Sequence, residues 1–240
     1  MKLVIPLAGF GTRFPKSEWK LPKPLIEVNG RTLLEYSIRS IPILEQDSIV
    51  FIIRNDTNSE ALKKKIYQIC NGKNFTIHTL PNPTRGQAET VYKGTLGLDL
   101  SEDILIHNGD SAMNITGCPR DLLADGVLVT FNSNETRWSY VSCNDDGVVI
   151  QVEEKVVISN KACTGTYYFS SISLFHKCFL SYLKDYDNKS EMFVAPLYNQ
   201  LVKQNSKILL QESEDFFCLG TPQDLENNSE RLQELWKPQW

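Results

Sequence analysis

The chain should fold as an α/β protein around a mixed, mostly parallel central sheet flanked by helices. Three observations point there. Short strand-like runs recur, Leu3-Val-Ile-Pro-Leu7, Ile49-Val-Phe-Ile-Ile53, Phe75-Thr-Ile-His-Thr-Leu80 and Ile104-Leu-Ile-His-Asn-Gly-Asp-Ser111, most of them apolar on both alternating faces as in a buried parallel strand, the last ending in Asn-Gly-Asp. Helical periodicity fills the gaps between them, and that βαβαβ order favours right-handed crossovers and parallel pairing. Gly9 and Gly11 follow the first run directly, at a strand's carboxyl end, where an open α/β sheet places its ligand crevice.

The elements follow in order. Thr32 to Ile41 carries Leu33, Leu34, Ser37 and Ile38 at helical spacing behind Gly30, and should be the first crossover helix. Ser59 to Cys70 is amphipathic, with Ala61, Leu62, Ile66 and Ile69 on one side. Pro81-Asn-Pro83 and Gly86 break the chain after the third strand, and Gln87 to Leu98 reads as a helix. Strands are expected at Gly126 to Phe131, Ser139 to Ser142, Val148 to Val152, Ala162 to Phe169 and Lys207 to Gln211. Asn144-Asp-Asp-Gly147 marks the second and third of these as a hairpin. Ser173 to Leu183 and Leu225 to Trp236 read as helices, and Glu191-Met-Phe-Val-Ala-Pro-Leu-Tyr198 as the opening of another.

Bulk properties exclude several classes. With 240 residues, 41% of them apolar, the chain suits a single domain with a real core. The net charge of −4 comes from mixed acids and bases, so no whole-molecule field attracts nucleic acid. No run of eighteen apolar residues exists to span a membrane, and the amino end lacks the pattern of a signal peptide. The cysteines at 70, 118, 143, 163, 178 and 218 form no Cys-x-x-Cys and read as reduced core residues of a cytoplasmic protein. His78, His107 and His176 are scattered, without metal-ligand spacing.

The chemistry concentrates in Leu7-Ala-Gly-Phe-Gly-Thr-Arg-Phe14. Glycine lets backbone N–H groups come close to a phosphate, and Arg13 can hold a phosphate oxygen by two hydrogen bonds. Lys23 stands between Pro22 and Pro24, so its backbone is stiff. Together these read as a polyphosphate site. The third glycine of a dinucleotide fingerprint and the Gly-Lys-Ser/Thr of a P-loop are both missing. Asp110 follows a buried strand at Asn108-Gly-Asp110, where a carboxylate is costly unless exposed or partnered. Magnesium takes hard oxygens, commonly one or two carboxylates plus phosphates, so Asp110 is a candidate ligand.

Leu7 to Phe14 followed by Pro22-Lys-Pro24 resembles the signature of the sugar-phosphate nucleotidyltransferases, which join a nucleoside triphosphate to a sugar 1-phosphate and release pyrophosphate. The opening Val4-Ile-Pro-Leu-Ala-Gly9 is similar to a branch found with capsule and surface-polysaccharide enzymes. The resemblance implies a Rossmann-like nucleotide-diphospho-sugar transferase (GT-A-like) fold, with a nucleotide half over residues 1–115 and a sugar-phosphate half over 116–240. It implies Mg²⁺ as cofactor, with Asp110 as the family's first metal ligand. Leu7, Ala8, Gly9, Gly11, Thr12 and Arg13 would hold the nucleotide, together with Leu80, Gly86 and Gln87 from the base loop. Arg13, Lys23 and Asp110 would be the catalytic groups. Glu154, Lys155, Gly165, Tyr167 and Glu191 match positions that face the sugar phosphate.

Three departures stand out. Leu80 occupies a position where the family often has an amide that reads the base, leaving Arg85, Gln87 or Glu89 to do so. Val156 replaces a proline after the Glu-Lys. Phe216-Phe-Cys-Leu-Gly-Thr-Pro222 resembles the family's closing motif, but Cys218 stands at its second metal Asp, and a thiol is a poor magnesium ligand. Either Asp110 holds the metal with phosphates and water, or another acid such as Asp215 supplies the second carboxylate. These departures keep alternatives open: a cytidylyltransferase acting on a non-sugar alcohol phosphate, or a non-catalytic homologue. A glycosyltransferase of related fold would need Asp-x-Asp where Asn108-Gly-Asp110 stands. The base, the sugar and the oligomeric state are not encoded in any readable motif.

Overall fold

In the computed structural model, residues 1–15, 17–187 and 191–240 are described. β1 (Lys2–Leu7) leads through a loop and a short hairpin, β2 (Glu27–Val28) and β3 (Arg31–Thr32), into α1 (Leu33–Arg39). β4 (Ser48–Arg54), α2 (Ser59–Ile69), β5 (Phe75–Leu80), α3 (Gln87–Gly94) and β6 (Ile104–His107) follow. Then come β7 (Ser111–Asn114), β8 (Gly126–Asn132), β9 (Ser139–Cys143), β10 (Val149–Glu154) and β11 (Lys161–Phe169). α4 (Ile172–Lys184), α5 (Tyr198–Lys203), β12 (Ile208–Glu212), β13 (Asp215–Cys218) and α6 (Pro222–Leu235) close the chain.

The sheet is mixed, and its centre is parallel as expected. β1 pairs in parallel with β4 and β6, and β4 with β5, in the register Leu3↔Ile49↔Phe75. Alternation divides the apolar side chains between two cores, one on each face. Leu3, Ile5, Ile49, Phe51, Ile53 and Leu105 pack on one side with α1 and α2, while Val4, Val50, Ile52, Ile104 and Ile106 face the other with α3 and α4. Each such side chain, removed from water, contributes about 1.5–3 kcal/mol. Caps fix three helix starts: Thr32, Ser171 and Thr221 accept the backbone N–H of Glu35, Leu174 and Asp224.

β11 joins the parallel centre to the second half. Thr166–Phe169 lies antiparallel between β6 and β8, whereas Lys161–Cys163 continues along β8 and touches β9 at Ala162↔Tyr140. The strand breaks register at Gly165, where φ is +89°.

Several elements differ from the sequence reading, which predicted neither the β2–β3 hairpin nor β13. The fourth strand ends at His107, and β7, not foreseen, leaves the sheet to pair with β13 (Ser111↔Cys218). Asn108-Gly109-Asp110 is the turn between β6 and β7, so Asp110 stands on a bend held by two short ladders. Glu191 does not open a helix. Met192 bonds outward in both directions, its N–H to the Arg85 carbonyl (3.0 Å) and its carbonyl to the Ala88 N–H (2.9 Å), so helical turns begin only at Ala195 and α5 at Tyr198.

His107 locks the turn. Its Nε2 donates to the Ser111 carbonyl (2.9 Å), which leaves Nδ1 to accept from the Thr166 hydroxyl (2.8 Å). Burial pushes its pKa down to about 4, against smaller upward pulls from Ser111 and Asp110. The ring is therefore neutral in the native state, while in the unfolded chain it takes a proton near pH 6.5. Between those values the unfolded state binds more protons, so stability falls as the pH falls from about 6.5 to about 4. Unfolding measured by urea titration should lose about 2 kcal/mol from this residue between pH 7.5 and 5. His107→Gln, which keeps a donor for Ser111, should remove most of that loss; an unchanged pH slope in the variant contradicts the assignment.

Candidate active site

The loop leaving β1 is anchored at both ends and open between them. Ala8 and Phe14 are buried, and Phe14 meets Trp19 edge-on at 5.2 Å. Gly9, Phe10, Thr12 and Arg13 between them are exposed. Gly11 takes φ +64°, and its carbonyl accepts the Phe14 N–H at 3.1 Å. The loop thus presents backbone N–H groups and Arg13 to solvent at the carboxyl end of the central strand, as the polyphosphate reading requires.

Lys23 begins a short 3₁₀ turn behind Pro22, and its side chain is only 11% exposed. The ammonium hydrogen-bonds the Asp110 carboxylate and donates to the Gly220 carbonyl at 3.0 Å. It has three donors, so one remains for a ligand. Arg13, with a side chain 64% exposed, reaches the same Asp110 oxygen at 3.6 Å. Burial acts to raise the pKa of Asp110, but the charges of Lys23 and Arg13 and the Lys23 hydrogen bond outweigh it and hold the carboxyl below the usual range. The three residues expected to be catalytic therefore meet on one carboxylate.

Cys218 lies beside this cluster, since β13 pairs it with Ser111 and the Leu219 N–H donates to the Asp110 carbonyl at 2.9 Å. Burial, with Asp110 and Asp224 nearby, pushes its thiol up to about 12, so it is protonated. The thiol donates to Asp224 (3.3 Å), which also accepts from Thr221 (2.7 Å) and pairs with Arg137 (2.7 Å). Asp215 does not supply the missing carboxylate. It sits at the far end of β13, opposite Asn114, bonded to that amide at 2.8 Å and 3.8 Å from Arg231. Among the described residues, no group of three His, Cys, Asp or Glu side chains is placed to hold a metal ion.

The base loop is built differently from the expectation. Leu80 packs in the core, so its side chain reads no base. Glu89 is buried and bound by Arg85 and Lys93, which bring its carboxyl down to about 2 against the upward push of burial. It is a structural anchor for the start of α3. Gln87 hydrogen-bonds the Asn108 side chain, which ties the base loop to the Asp110 turn. Gly86 lies under the Glu191–Met192 segment: a Cβ there would stand 2.5 Å from the Met192 nitrogen and 2.9 Å from Glu191 Cγ. The close approach that demands glycine is made by the chain itself.

On the other wall, Glu154 accepts a hydrogen bond from Ser139. Burial raises its pKa and Glu191 adds to this, while Ser139 and Lys155 oppose. Lys155 is exposed and left-handed, with φ +59°, and its ammonium lies 4.7 Å from the Phe193 ring. Glu154, Lys155 and Glu191 therefore share one wall. The two other residues matched to the sugar lie behind it, the Tyr167 hydroxyl reaching the Ser139 that holds Glu154. Tyr167 is a core residue beside Tyr198, at a ring separation of 6.2 Å. At Gly165 the space a side chain would fill is taken by the Asn108 amide.

Comparison with known proteins now bears on this geometry. A family profile described as "Nucleotidyl transferase" matches residues 2–234. The chain belongs to that family. It is 24% identical over 246 residues to UTP–glucose-1-phosphate uridylyltransferase AglF of Haloferax volcanii, covering 98% of this chain and 97% of that one. A shorter match, 31% over 110 residues, covers 45% of this chain and 30% of the mannose-1-phosphate guanyltransferase of Aspergillus oryzae. Among solved structures, the nucleoside-diphosphate-sugar pyrophosphorylase of Vibrio cholerae RC9 superposes with a TM-score of 0.84 at 29% identity, over 95% of this chain and 99% of that one.

The nucleotidyltransferase thus has a glycine-loop corner with Lys23 and Asp110 and a carboxylate-and-lysine wall, and Asn108 links the Asp110 turn to Gln87 and Gly165. The sequence reading passed over Asn108, although it stands in the Asn-Gly-Asp turn it did single out. It also missed the Gly220 carbonyl and Ser139, for which no residue-type signal exists. Gly165→Ala tests the joint: it combines a left-handed backbone, costing roughly 1–2 kcal/mol, with overlap on Asn108, costing roughly 1–3. Chemical denaturation should show a loss of about 2–5 kcal/mol; a loss under about 1 would mean that the joint relaxes freely.

Proposed function

We propose that the nucleotidyltransferase condenses a nucleoside triphosphate with a sugar 1-phosphate, releasing pyrophosphate. The observation that carries this reading is the meeting of Lys23, Arg13 and Asp110 beside a glycine loop at the carboxyl end of the central strand. In the reaction a phosphate oxygen of the acceptor attacks the α-phosphorus in line. A new P–O bond forms, the α–β bridging P–O bond breaks, and its electron pair leaves with pyrophosphate. Little covalent work falls to the protein, so positioning and charge neutralisation carry the rate.

The loop from Leu7 to Arg13 would cradle the triphosphate, with Arg13 balancing charge on the departing pyrophosphate. Lys23, with a donor in reserve, would bridge the α-phosphate and the incoming phosphate. One carboxylate fits a magnesium ion that arrives with the triphosphate and takes most of its ligands from phosphates and water; Asp110 would hold it, and the ion would neutralise phosphate charge. Gln87 would line the base. Glu154 and Glu191 would accept from sugar hydroxyls, and Lys155 would meet the acceptor's phosphate. On this reading residues 1–115 bind the nucleotide and 116–240 the acceptor. The resemblance of Val4 to Gly9 supports a nucleotide sugar destined for surface polysaccharide, and six unpaired cysteines suit a cytoplasmic enzyme. Among the described residues, no helix is long and apolar enough to cross a membrane.

A pyrophosphate-release screen crossing four nucleoside triphosphates with sugar 1-phosphates and other alcohol phosphates tests the reading and separates it from a cytidylyltransferase of non-sugar acceptors. With the active pair in hand, Lys23→Ala should lower kcat and kcat/KM together by roughly a hundredfold or more. A rise in triphosphate KM at constant kcat would instead make Lys23 a binding residue.

Lys155→Ala should raise KM for the acceptor by roughly ten- to a hundredfold, the loss of one charged hydrogen bond, with nucleotide affinity nearly unchanged. Calorimetry with each substrate separately checks this. Equal weakening of both would remove the acceptor assignment.

A further inference from the structure

Arg54 closes β4 and turns back under the phosphate loop. The register Leu7↔Ile53 sets Ala8 beside it. Its Nη1 donates to the Ala8 carbonyl at 3.1 Å, and its Nη2 donates to the Asp56 carboxylate at 2.7 Å. The guanidinium carbon lies 4.2 Å from the centroid of the Phe10 ring. Asp56 in turn accepts the backbone N–H of Asn58 at 2.9 Å, just ahead of α2.

Each of these contacts is internal. The Arg54 side chain is only 16% exposed, and Asp56 already balances its charge. It is therefore not placed to act as a countercharge for a substrate. What it holds is the loop's geometry. Phe10, the residue between the two glycines, is 63% exposed and rests on the guanidinium face. A guanidinium can donate along two diverging in-plane directions and stack its flat face on a ring at once, whereas an ammonium is a compact point charge with no face to stack.

We propose that Arg54 is a positioning residue for the triphosphate. Resting on the phosphate-loop reading above, the proposal is that Arg54 fixes the peptide after Ala8, and so the direction of the loop's N–H groups, while backing Phe10 so that the loop cannot lift away from the cleft. Because these contacts involve only the chain itself, on this proposal they persist as the site fills and serve substrate and transition state alike. Their loss should raise KM for the triphosphate and leave kcat and the acceptor's KM unchanged.

The test uses the full chain and a base-independent probe, inorganic tripolyphosphate with Mg²⁺, measured by calorimetry for wild type, Arg54→Met and Arg54→Lys. Steady-state kinetics and thermal melting accompany it. The expected result is affinity about tenfold weaker in both variants, equivalent to about 1.4 kcal/mol. Arg54→Lys keeps a cation for Asp56 and should melt with wild type, so it decides the matter if the methionine variant does not fold. Wild-type affinity in Arg54→Lys, or equal falls in kcat and kcat/KM, would overturn the proposal. A wild-type chain that turns over nucleotide yet binds no tripolyphosphate would overturn the phosphate-loop reading and this proposal with it.

Discussion

The Lys23 ammonium binds the Asp110 carboxylate and the Gly220 carbonyl, and so joins three stretches of chain that lie far apart in sequence. The constraint behind this is the cost of a charge withdrawn from water. Asp110 stands on a turn just past a buried strand, and without a cation it would be driven toward its neutral form. Lys23, stiffened by two prolines, supplies that cation. Truncating either partner strands the other. The pair ties the β6–β7 turn to the proline-framed lysine, and the antiparallel pairing of β7 with β13 brings the Gly220 carbonyl to the same ammonium.

Cys218 changes the charge balance of the same corner. A carboxylate there would stand close to Asp110 and raise repulsion in the absence of a metal. A thiol held protonated by burial does not. Lys23 and Arg13 then face Asp110, two cations against one anion, before any substrate arrives, while Arg137 is balanced by Asp224 and Glu135. A surplus of positive charge in a half-buried cleft attracts a polyphosphate without drawing on the whole molecule, whose net charge is −4.

The carboxylate-and-lysine wall is assembled by the chain folding against itself. Gly86 gives way to the Glu191–Met192 segment, and Gly165 to Asn108. The backbone bonds of Met192 to Arg85 and Ala88 bring Glu191 toward Glu154 and Lys155, although these lie in separate segments of sequence. Asn108 stands between the two clusters, touching Gln87 on one side and Gly165 on the other. A change at either glycine would therefore be felt at both walls.

By itself the sequence determined whatever depends on local pattern. Short, β-branched apolar runs bounded by turn residues read as buried strands, so the parallel centre was legible from Leu3–Leu7, Ile49–Ile53 and Ile104–His107. Gly9, Gly11, Arg13 and Asp110 stood out because they follow a strand's end, and Lys23 because two prolines frame it. Tertiary structure alone decided what depends on contacts between distant segments. It sent Leu80 and Tyr167 into the core. It set Asp215 three residues down a ladder from Cys218, gave Gly86 and Gly165 neighbours in the chain itself, and placed the Gly220 carbonyl on Lys23. A carbonyl or a packed glycine has no signature in residue type, and a carboxylate's role is set by the charges brought beside it. Those partners exist only once segments a hundred or more residues apart have met.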